Sequence, residues 1–299
     1  DWDDHMRDVG LVFSALIEAG FTVNPKKVFM GMREVPYLGY IVGAFGTKPN
    51  PERTKAIFDM SFEQVRTDAS AAARFAGMIS FYSRFLKNLH ITLAPFHALK
   101  AKHADVPRIL GSLKFKTAFE LLRYQLADVT AITRPDYTKD FHVVVDTASS
   151  VGVGATLMQL EDVEDPQSLR PVAFWSHRLN EQEKGWHVRD QECYGLILAL
   201  REWRSYVLGS HVMVKTDHKS LKWLMTTQHQ QGSRVQGWVA DIQQHDLEID
   251  YLPGPENVVA DCFSRAVVAC LRVVLAGGCE VPSFSSVGGV CEARTNFVP

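Results

Sequence analysis

The sequence has no apolar run that approaches the roughly 20 residues needed for a membrane-spanning helix. Cysteine is scarce, with five in 299 residues, and none of the five has a CxxC partner or a zinc-ligand spacing with histidine. These absences predict an intracellular protein with reduced thiols, no membrane partner and no zinc site. The first residues, DWDDHMRDVG, include neither an initiator Met nor a signal-peptide pattern, which favours a piece of a longer chain.

No excess of one charge is present overall, since the net charge is −2, but the two parts of the chain differ. Residues 1–140 hold 19 Lys and Arg against 15 Asp and Glu, and the remainder holds 13 against 19. A basic part beside an acidic part is expected of a nucleic-acid path that leads to a metal site. Compositional drift explains the same asymmetry equally well, so the charges alone decide nothing.

The first part of the chain has mainly helical patterns. Apolar residues at helical spacing over 4–19 predict a helix that ends at Gly20. The runs FTVNPKKVFM and VPYLGYIV predict two strands, and Pro51 is suited to the first turn of a helix. Residues 70–89 predict one amphipathic helix, and LKFKTAFELLRYQLAD predicts another.

From residue 140 the pattern becomes α/β. FHVVVDT, GVGATLMQL and PVAFWSH predict three successive strands, and HVMVKTD and LEIDYLPG predict two more. One long helix is predicted for EKGWHVRDQECYGLILALREWRSYVLG. Shorter helices are predicted for HKSLKWLM, SRVQGWVADIQQH and NVVADCFSRAVV. The stretch 268–299, rich in Gly, Ser and Val, predicts a poorly ordered tail.

Four carboxylates mark the α/β part, two at strand ends and two in helices: Asp146, Asp217, Glu192 and Asp261. These elements can converge on one edge of a sheet, where the four charges would repel each other unless divalent cations neutralised them. Oxygen ligands suit Mg²⁺ or Mn²⁺, and a pair of such ions stabilises an in-line displacement at phosphorus. Each acid taken singly has an ordinary explanation as a turn, cap or ion-pair residue. Their joint occurrence favours a metal site.

Longer blocks of sequence resemble a known family. VVVDTASSVGVGATLMQL, PVAFWSHRLN, WHVRDQECYGLILALREWRSYVLG, KTDHKSLKWL and YLPGPENVVADCFSR resemble, in order, the blocks of the ribonuclease H domain of gypsy-type long-terminal-repeat retrotransposons. FTVNPKKVFM and VPYLGYIVGAFGTKPNPERTKAI resemble the end of that family's reverse transcriptase palm and the entry to its thumb. FAGMISFYSRFLKNLHITLAPFHALKA resembles the thumb and connector.

The resemblance implies a fold and its divisions. It implies an α/β ribonuclease H-like domain, with a five-stranded mixed sheet and flanking helices, preceded by a mostly helical thumb and connector and a palm remnant. The implied limits are 1–45 for the palm remnant, 46–136 for thumb and connector, 137–266 for the ribonuclease H-like domain and 267–299 for the tail.

The resemblance also implies an activity, namely metal-dependent cleavage of the RNA strand of RNA/DNA hybrids with two Mg²⁺ or Mn²⁺ ions. Asp146 would bridge both ions. Glu192 and Asp217 would hold the ion beside the leaving 3′ oxygen, and Asp261 would hold the ion that activates water. The polymerase acids of the family have no match here, so this chain is not expected to polymerise DNA. The implied partners are the hybrid and the rest of the reverse transcriptase, in the cytoplasm (in a virus-like particle) or in the nucleus.

Basic residues supply candidate contacts to nucleic acid. Arg234 matches the family's R-x-x-x-W segment, and three further candidates follow the amphipathic helix and its end: Arg74, Arg84 and Lys87. The latter three would also suit an ordinary solvated face. A non-catalytic relic that binds nucleic acid or supports a polymerase remains the alternative function. A third reading is a chain that is unstable without the palm.

Overall fold

The computed structural model describes residues 1–129, 131–148, 152–165, 168–216 and 234–251. Within them the chain forms two hydrophobic cores, one built between Ile57 and Ile132 and the other between Phe141 and Ile242. A mostly helical part precedes a five-stranded mixed sheet with flanking helices. The predicted fold class is therefore confirmed. Within the described ranges, no helix has both the length and the apolar character needed to cross a membrane.

The first helix, α1 (Trp2–Glu18), confirms the helical spacing near the N-terminus. The Asp1 carboxylate caps it by accepting a hydrogen bond from the backbone N–H of Asp4 at 2.8 Å, which satisfies one of the free donors of the first turn. None of its residues is buried.

The strand predicted for FTVNPKKVFM is wrong. Residues Pro25–Lys27 form a 3-10 helix that Asn24 caps by accepting from the N–H of Lys26 at 3.0 Å. Proline at the first helical position and asparagine before it favour this turn over an extended run. The local capping chemistry here outweighs the apolar residues around it.

The second run, VPYLGYIV, forms a hairpin and not a single strand. Strand β1 (Glu34–Tyr37) turns through two residues into β2 (Tyr40–Gly43), and β3 (Gly46–Pro49) completes a small antiparallel sheet. The two turn residues, Leu38 and Gly39, have φ of 48° and 90°. Positive φ at both central residues is typical of tight two-residue hairpin turns.

Seven helices build the first core. They are α2 (Pro51–Phe58), α3 (Phe62–Thr67), α4 (Ala69–Ser80), α5 (Leu89–Thr92), α6 (Ala94–Ala98), α7 (Val106–Leu110) and α8 (Leu113–Ala127). Aromatic rings fill the centre, where the centroids of Phe75 and Phe119 lie 4.7 Å apart and those of Phe96 and Phe115 lie 4.5 Å apart. The helix predicted to start at Pro51 and the one over LKFKTAFELLRYQLAD are confirmed.

The single helix predicted over 70–89 is wrong in its second half. Helix α4 ends at Ser80, a 3-10 helix follows at Ser83–Phe85, and α5 begins at Leu89. The chain turns at Asn88, whose φ of 53° lies in the left-handed region. Asparagine adopts that conformation more readily than most residues. The apolar spacing continues across the turn, which is why periodicity alone predicted an unbroken helix.

Five strands form the main sheet in the order β6-β5-β4-β7-β8. They are β4 (Phe141–Ala148), β5 (Gly152–Leu160), β6 (Leu169–Arg178), β7 (His211–Thr216) and β8 (Asp246–Tyr251). The first three form an antiparallel meander, and β4, β7 and β8 are parallel. All five strands predicted for this part are confirmed.

Helices α9 (Glu181–Lys184), α10 (Val188–Glu202), α11 (Arg204–Val207) and α12 (Arg234–Ile242) flank this sheet. The long helix predicted from residue 183 is therefore three helices. His187 caps α10, since its Nδ1 accepts from the N–H of Arg189 at 3.3 Å. The Gln191 amide donates to the carbonyl oxygens of Glu183 and Trp186 at 3.0 and 3.2 Å. These bonds stabilise the break between α9 and α10, which includes Trp186.

The two faces of β4 differ as the alternation of the strand requires. Val143 and Val145 lie in the core against α10, whereas Val144 packs in a separate cluster with Met158 and Leu169. The predicted division of β4 into two faces is confirmed for these valines.

Residues 131–136 connect the two cores and touch both sheets. Ile132 pairs with Thr47 of β3 through two backbone hydrogen bonds of 2.9 Å, and the N–H of Thr133 donates to the Pro171 carbonyl of β6 at 2.7 Å. The domain limits proposed at 45, 136 and 266 stay predictions. The helices predicted for HKSLKWLM and NVVADCFSRAVV, and the tail after 268, lie outside the described residues.

Candidate active site

Asp146 lies near the end of β4, the central strand of the sheet. It is paired with Gly154 of β5 on one side. On the other side β4 runs parallel to β7, and Val144 is the neighbour of Lys215. Parallel strands finish at the same edge of a sheet. Asp146 therefore lies near the sheet edge at which β7 ends with Thr216.

Glu192 lies on the first half of α10 and is 3% exposed. Carboxylates are rarely buried to this degree. The helix approaches the sheet closely at Gly195, one turn further on, where an added Cβ would overlap the side chain of Val153 in β5. The small residue thus fixes α10 against the sheet and with it the position of Glu192.

The other two predicted ligands, Asp217 and Asp261, lie outside the described residues. In the described ranges there is no group of three or more His, Cys, Asp or Glu side chains that would hold a metal ion. The four-acid metal site consequently stays a prediction, with Asp146 and Glu192 as the members whose elements are described.

Cys193, next to Glu192, is buried, and its pKa is raised to about 12. Burial is the largest cause, and the nearby carboxylates of Asp190 and Glu192 act in the same direction. A thiol in this state is not a nucleophile at neutral pH.

A buried polar group beside the start of α10 was missed by sequence reasoning. Glu183, 6% exposed, accepts from the N–H of Asn180 at 2.7 Å and lies 3.3 Å from Nε2 of His177. Burial and the Glu183 carboxylate also raise the pKa of Tyr194. The signal was present in NEQEK, because Asn followed by Glu three residues later is a capping box. This group supports the helix that holds Glu192.

The predicted nucleic-acid contacts have different surroundings. Arg74 is exposed on α4 and lines an open cleft of about 610 Å³ together with Asp59 and Asp68. Lys87 is half-buried, and its backbone carbonyl accepts from the side chain of Gln125 at 3.2 Å. Arg234 is the first residue of α12. All three stay predictions as phosphate contacts.

Arg84 lies between the two cores. One guanidinium nitrogen donates to the hydroxyl of Tyr206 at 3.4 Å, and the group stands 5.8 Å from the ring centroid of Phe85. It also lines a cavity of about 330 Å³ with His90 and Glu202. These contacts give Arg84 a packing role that competes with the predicted phosphate contact.

Known proteins are similar to this chain in sequence and in fold. Residues 136–245 match the family of RNase H-like domains found in reverse transcriptase. The chain is 29% identical over 262 residues to the retrovirus-related Pol polyprotein from transposon 297 of Drosophila melanogaster, and 31% identical over 280 residues to that from transposon gypsy. These matches cover 88% and 90% of this chain but 23% and 26% of the relatives. The chain thus spans about a quarter of the length of the Pol polyproteins it matches.

Solved structures have the same fold at low sequence identity. The foamy viral protease-reverse transcriptase in complex with RNA/DNA hybrid matches with a TM-score of 0.68 at 16% identity, covering 100% of this chain and 36% of that one. The foamy viral protease-reverse transcriptase in complex with dsDNA matches with a TM-score of 0.65 at 17% identity, covering 84% and 51%. These likenesses establish the fold of the chain.

Proposed function

We infer that the chain is a piece of a retrotransposon Pol polyprotein, because it is similar over 88% and 90% of its length to the Pol polyproteins from transposons 297 and gypsy, and residues 136–245 match RNase H-like domains found in reverse transcriptase. On that premise we propose that it is a metal-dependent endoribonuclease that cleaves the RNA strand of RNA/DNA hybrids. The chain would act as the nuclease part of a reverse transcriptase. Its other partners would be the fingers and palm of that enzyme.

The observation that carries the proposal is the position of two acids in the RNase H-like fold. Asp146 lies near the end of the central strand, and Glu192 is held, almost fully buried, on the helix that packs against that strand. Asp217 follows directly after Thr216, the end of β7, in the sequence. Asp261 would come from the segment after β8. A set of carboxylate oxygens fits Mg²⁺ or Mn²⁺.

In the proposed reaction a water oxygen attacks phosphorus and the bond to the upstream 3′ oxygen breaks. The leaving oxygen takes a proton and becomes a 3′-hydroxyl, and the downstream fragment keeps a 5′-phosphate. Two bound ions would supply the activated water and stabilise the charge on phosphate. Asp146 would hold both ions, Glu192 and Asp217 would hold one, and Asp261 would hold the other.

The protein's own contribution would be position. Binding energy is used to align water, phosphate and leaving oxygen, and a displacement of about 1 Å costs on the order of 10²-fold in rate. The rigid support of Glu192, by Gly195 against the sheet and by the Glu183 group before α10, suits that task.

The decisive experiment is cleavage of an end-labelled RNA/DNA hybrid by the full chain in Mg²⁺ and in EDTA. The expected result is cleavage of the RNA strand in Mg²⁺ but not in EDTA. Double-stranded DNA, tested in the same way, should be left intact. Retention of the hybrid without cleavage in Mg²⁺ would instead establish the alternative, a binding relic. Loss of both binding and cleavage would contradict the two functions together.

A further inference from the structure

The short helix α5 of the first core lies directly on two strands of the main sheet. The backbone N–H of His90 donates to Oγ of Ser176 in β6 at 2.9 Å, and Ser176 is 3% exposed. Ile91 lies against Gly152 of β5, where an added Cβ would be 3.0 Å from Ile91 Cγ1. The segment from Asn88 to Ile91, here called the connector turn, is therefore seated on β5 and β6.

The strand register shows which residues the connector turn covers. Gly154 of β5 is paired with Asp146 of β4 on one side and with Ser176 of β6 on the other. Neighbouring strands are about 4.8 Å apart in the direction of pairing. Asp146, Gly154 and Ser176 therefore form one row across three strands, and the connector turn contacts two of its three members.

The contact with Gly154 depends on the absence of a side chain. A Cβ added at this position would overlap Oδ1 of Asn88. That oxygen is buried and has no hydrogen-bond partner among the described residues, so the contact is one of shape. Asn88 reaches it from a backbone with φ of 53°. The unusual backbone and the glycine thus fit each other.

We propose that Asn88 is a positioning residue of the nuclease site, because the connector turn holds β5 at the residue that pairs with Asp146. This inference rests on the proposed function and adds a regulation to it. The first core would fix the backbone of the metal-binding strand, and the nuclease would reach full rate only while the connector turn is seated.

The test uses the full chain and compares single and paired substitutions. Gly154→Ala places a methyl group where Asn88 Oδ1 lies, so the turn or the strand must move. We expect kcat for hybrid cleavage to fall at least tenfold while KM changes less than twofold. Asn88→Gly removes the overlapping atoms and tolerates the positive φ. The double variant should therefore recover to within about threefold of Asn88→Gly alone.

Two more variants keep the outcome clear. Ser176→Ala removes the acceptor for His90 N–H without adding bulk, and it should lower kcat severalfold even if Gly154→Ala fails to fold. Gly77→Ala is the matched control, because an added Cβ there meets nothing within 4 Å, and its kcat should equal that of the parent. Amide hydrogen exchange over residues 141–157 supplies a readout independent of turnover. Exchange should quicken in Gly154→Ala and return to the parental rate in the double variant.

Each result decides something. A parent that does not cleave the hybrid overturns the proposed function and this inference with it. An active parent whose Gly154→Ala and Ser176→Ala variants keep the parental kcat overturns the inference alone. A double variant that recovers hydrogen-exchange protection but not kcat also overturns the inference, because the contact between the connector turn and β5 would then serve only the fold.

Discussion

Val144 of β4 and Lys215 of β7 are neighbours in the parallel pairing at the centre of the main sheet. Two residues after each of them the sequence has an aspartate, Asp146 and Asp217. Parallel strands advance at nearly equal rates per residue, so this register agrees with the prediction, made from the two strand ends, that both acids belong to one site. Asp217 lies outside the described residues, so its place beside Asp146 is a prediction from the register.

Replacing Asp146 with Asn should remove cleavage and leave the fold intact. The amide keeps the shape of the side chain but loses the charge that would hold two cations, so hybrid cleavage in Mg²⁺ should fall to below about 1% of the parental rate. Glu192→Gln should have a similar effect. Initial rates on a labelled hybrid and thermal melts followed by circular dichroism measure the two quantities.

Glu248→Gln is the matched control for these two variants, since Glu248 is an exposed acid on β8. It should cleave at the parental rate. Cleavage by Asp146→Asn at the rate of this control would contradict the metal site, whereas a lost melting transition would mean that the acid is needed for folding.

Arg74→Ala should weaken hybrid binding without affecting stability. Arg74 is exposed on α4, and an arginine that contacts one phosphate adds about 1 to the slope of log affinity against log salt. The expected result is a several-fold loss of affinity at low salt and a slope smaller by about 1, measured by fluorescence anisotropy. Arg108→Ala, another exposed arginine, is the control. Equal slopes for the two variants would place Arg74 outside the nucleic-acid path.

Arg84→Ala should have the opposite effect, a loss of stability with a smaller loss of hybrid affinity. The guanidinium contacts Tyr206 and Phe85 between the two cores, and the loss of one hydrogen bond and one cation–π contact costs about 1 kcal/mol. Urea unfolding should therefore move to lower concentration, while hybrid affinity changes less than in Arg74→Ala. A loss of hybrid affinity as large as that in Arg74→Ala, with the urea midpoint unchanged, would make Arg84 a phosphate contact, as its place in the sequence suggested.

The comparison of the two arginines illustrates what sequence can predict. The strand of Val143 to Val145 was readable because alternation is local, and the helix of Phe119 was readable because its apolar spacing is local. Arg84 was not, because its partner Tyr206 is 122 residues away. A basic residue on a helical pattern has the same appearance in sequence whether it faces solvent or a second core.

The helix ends were unpredictable for a related reason. The break before α10 is held by the hydrogen bonds of Gln191 and the cap from His187, and the chain turns before α5 at Asn88, whose φ is 53°. Neither break interrupts the apolar spacing, so periodicity continued through both. Asp146 and Glu192 could nevertheless be assigned to a strand and a helix, because the break before α10 comes ahead of Glu192 and leaves that residue in helix.

Acid should weaken the packing of the first core near His97. Burial lowers the pKa of His97, and the positive groups His90, Lys100 and Arg178 lower it further. Below about pH 6.5 the unfolded chain takes up a proton at this position and the folded chain resists it. The contribution of His97 to the free energy of unfolding should therefore be constant at neutral pH, and it should fall as the pH drops below about 6.5.

His97→Gln should flatten that dependence. Melting temperatures measured from pH 7.5 to 5.0 should fall less steeply than in the parent, by about 1–3 °C over this range for a domain of this size. His103→Gln, at an exposed histidine outside the core, should follow the parental curve. Identical slopes for all three proteins would show that His97 does not titrate differently on folding.

Cys193 should resist alkylation in the folded chain. Its pKa of about 12 leaves only about one molecule in 10⁴ as the reactive thiolate at pH 8, and burial in the core against β4 and β5 blocks the reagent as well. Labelling with iodoacetamide, followed by tryptic digestion, isolates this cysteine in the peptide of residues 190–201. That peptide should be unmodified after labelling in buffer and fully modified after labelling in guanidinium.

The parent treated in denaturant controls for reagent and digestion. The Glu192→Gln variant tests the local electric field, since one of the two carboxylates that raise the pKa of Cys193 is gone. Burial is the larger cause, so that variant should remain protected, and rapid labelling of either protein in buffer would mean that α10 does not stay packed on the sheet.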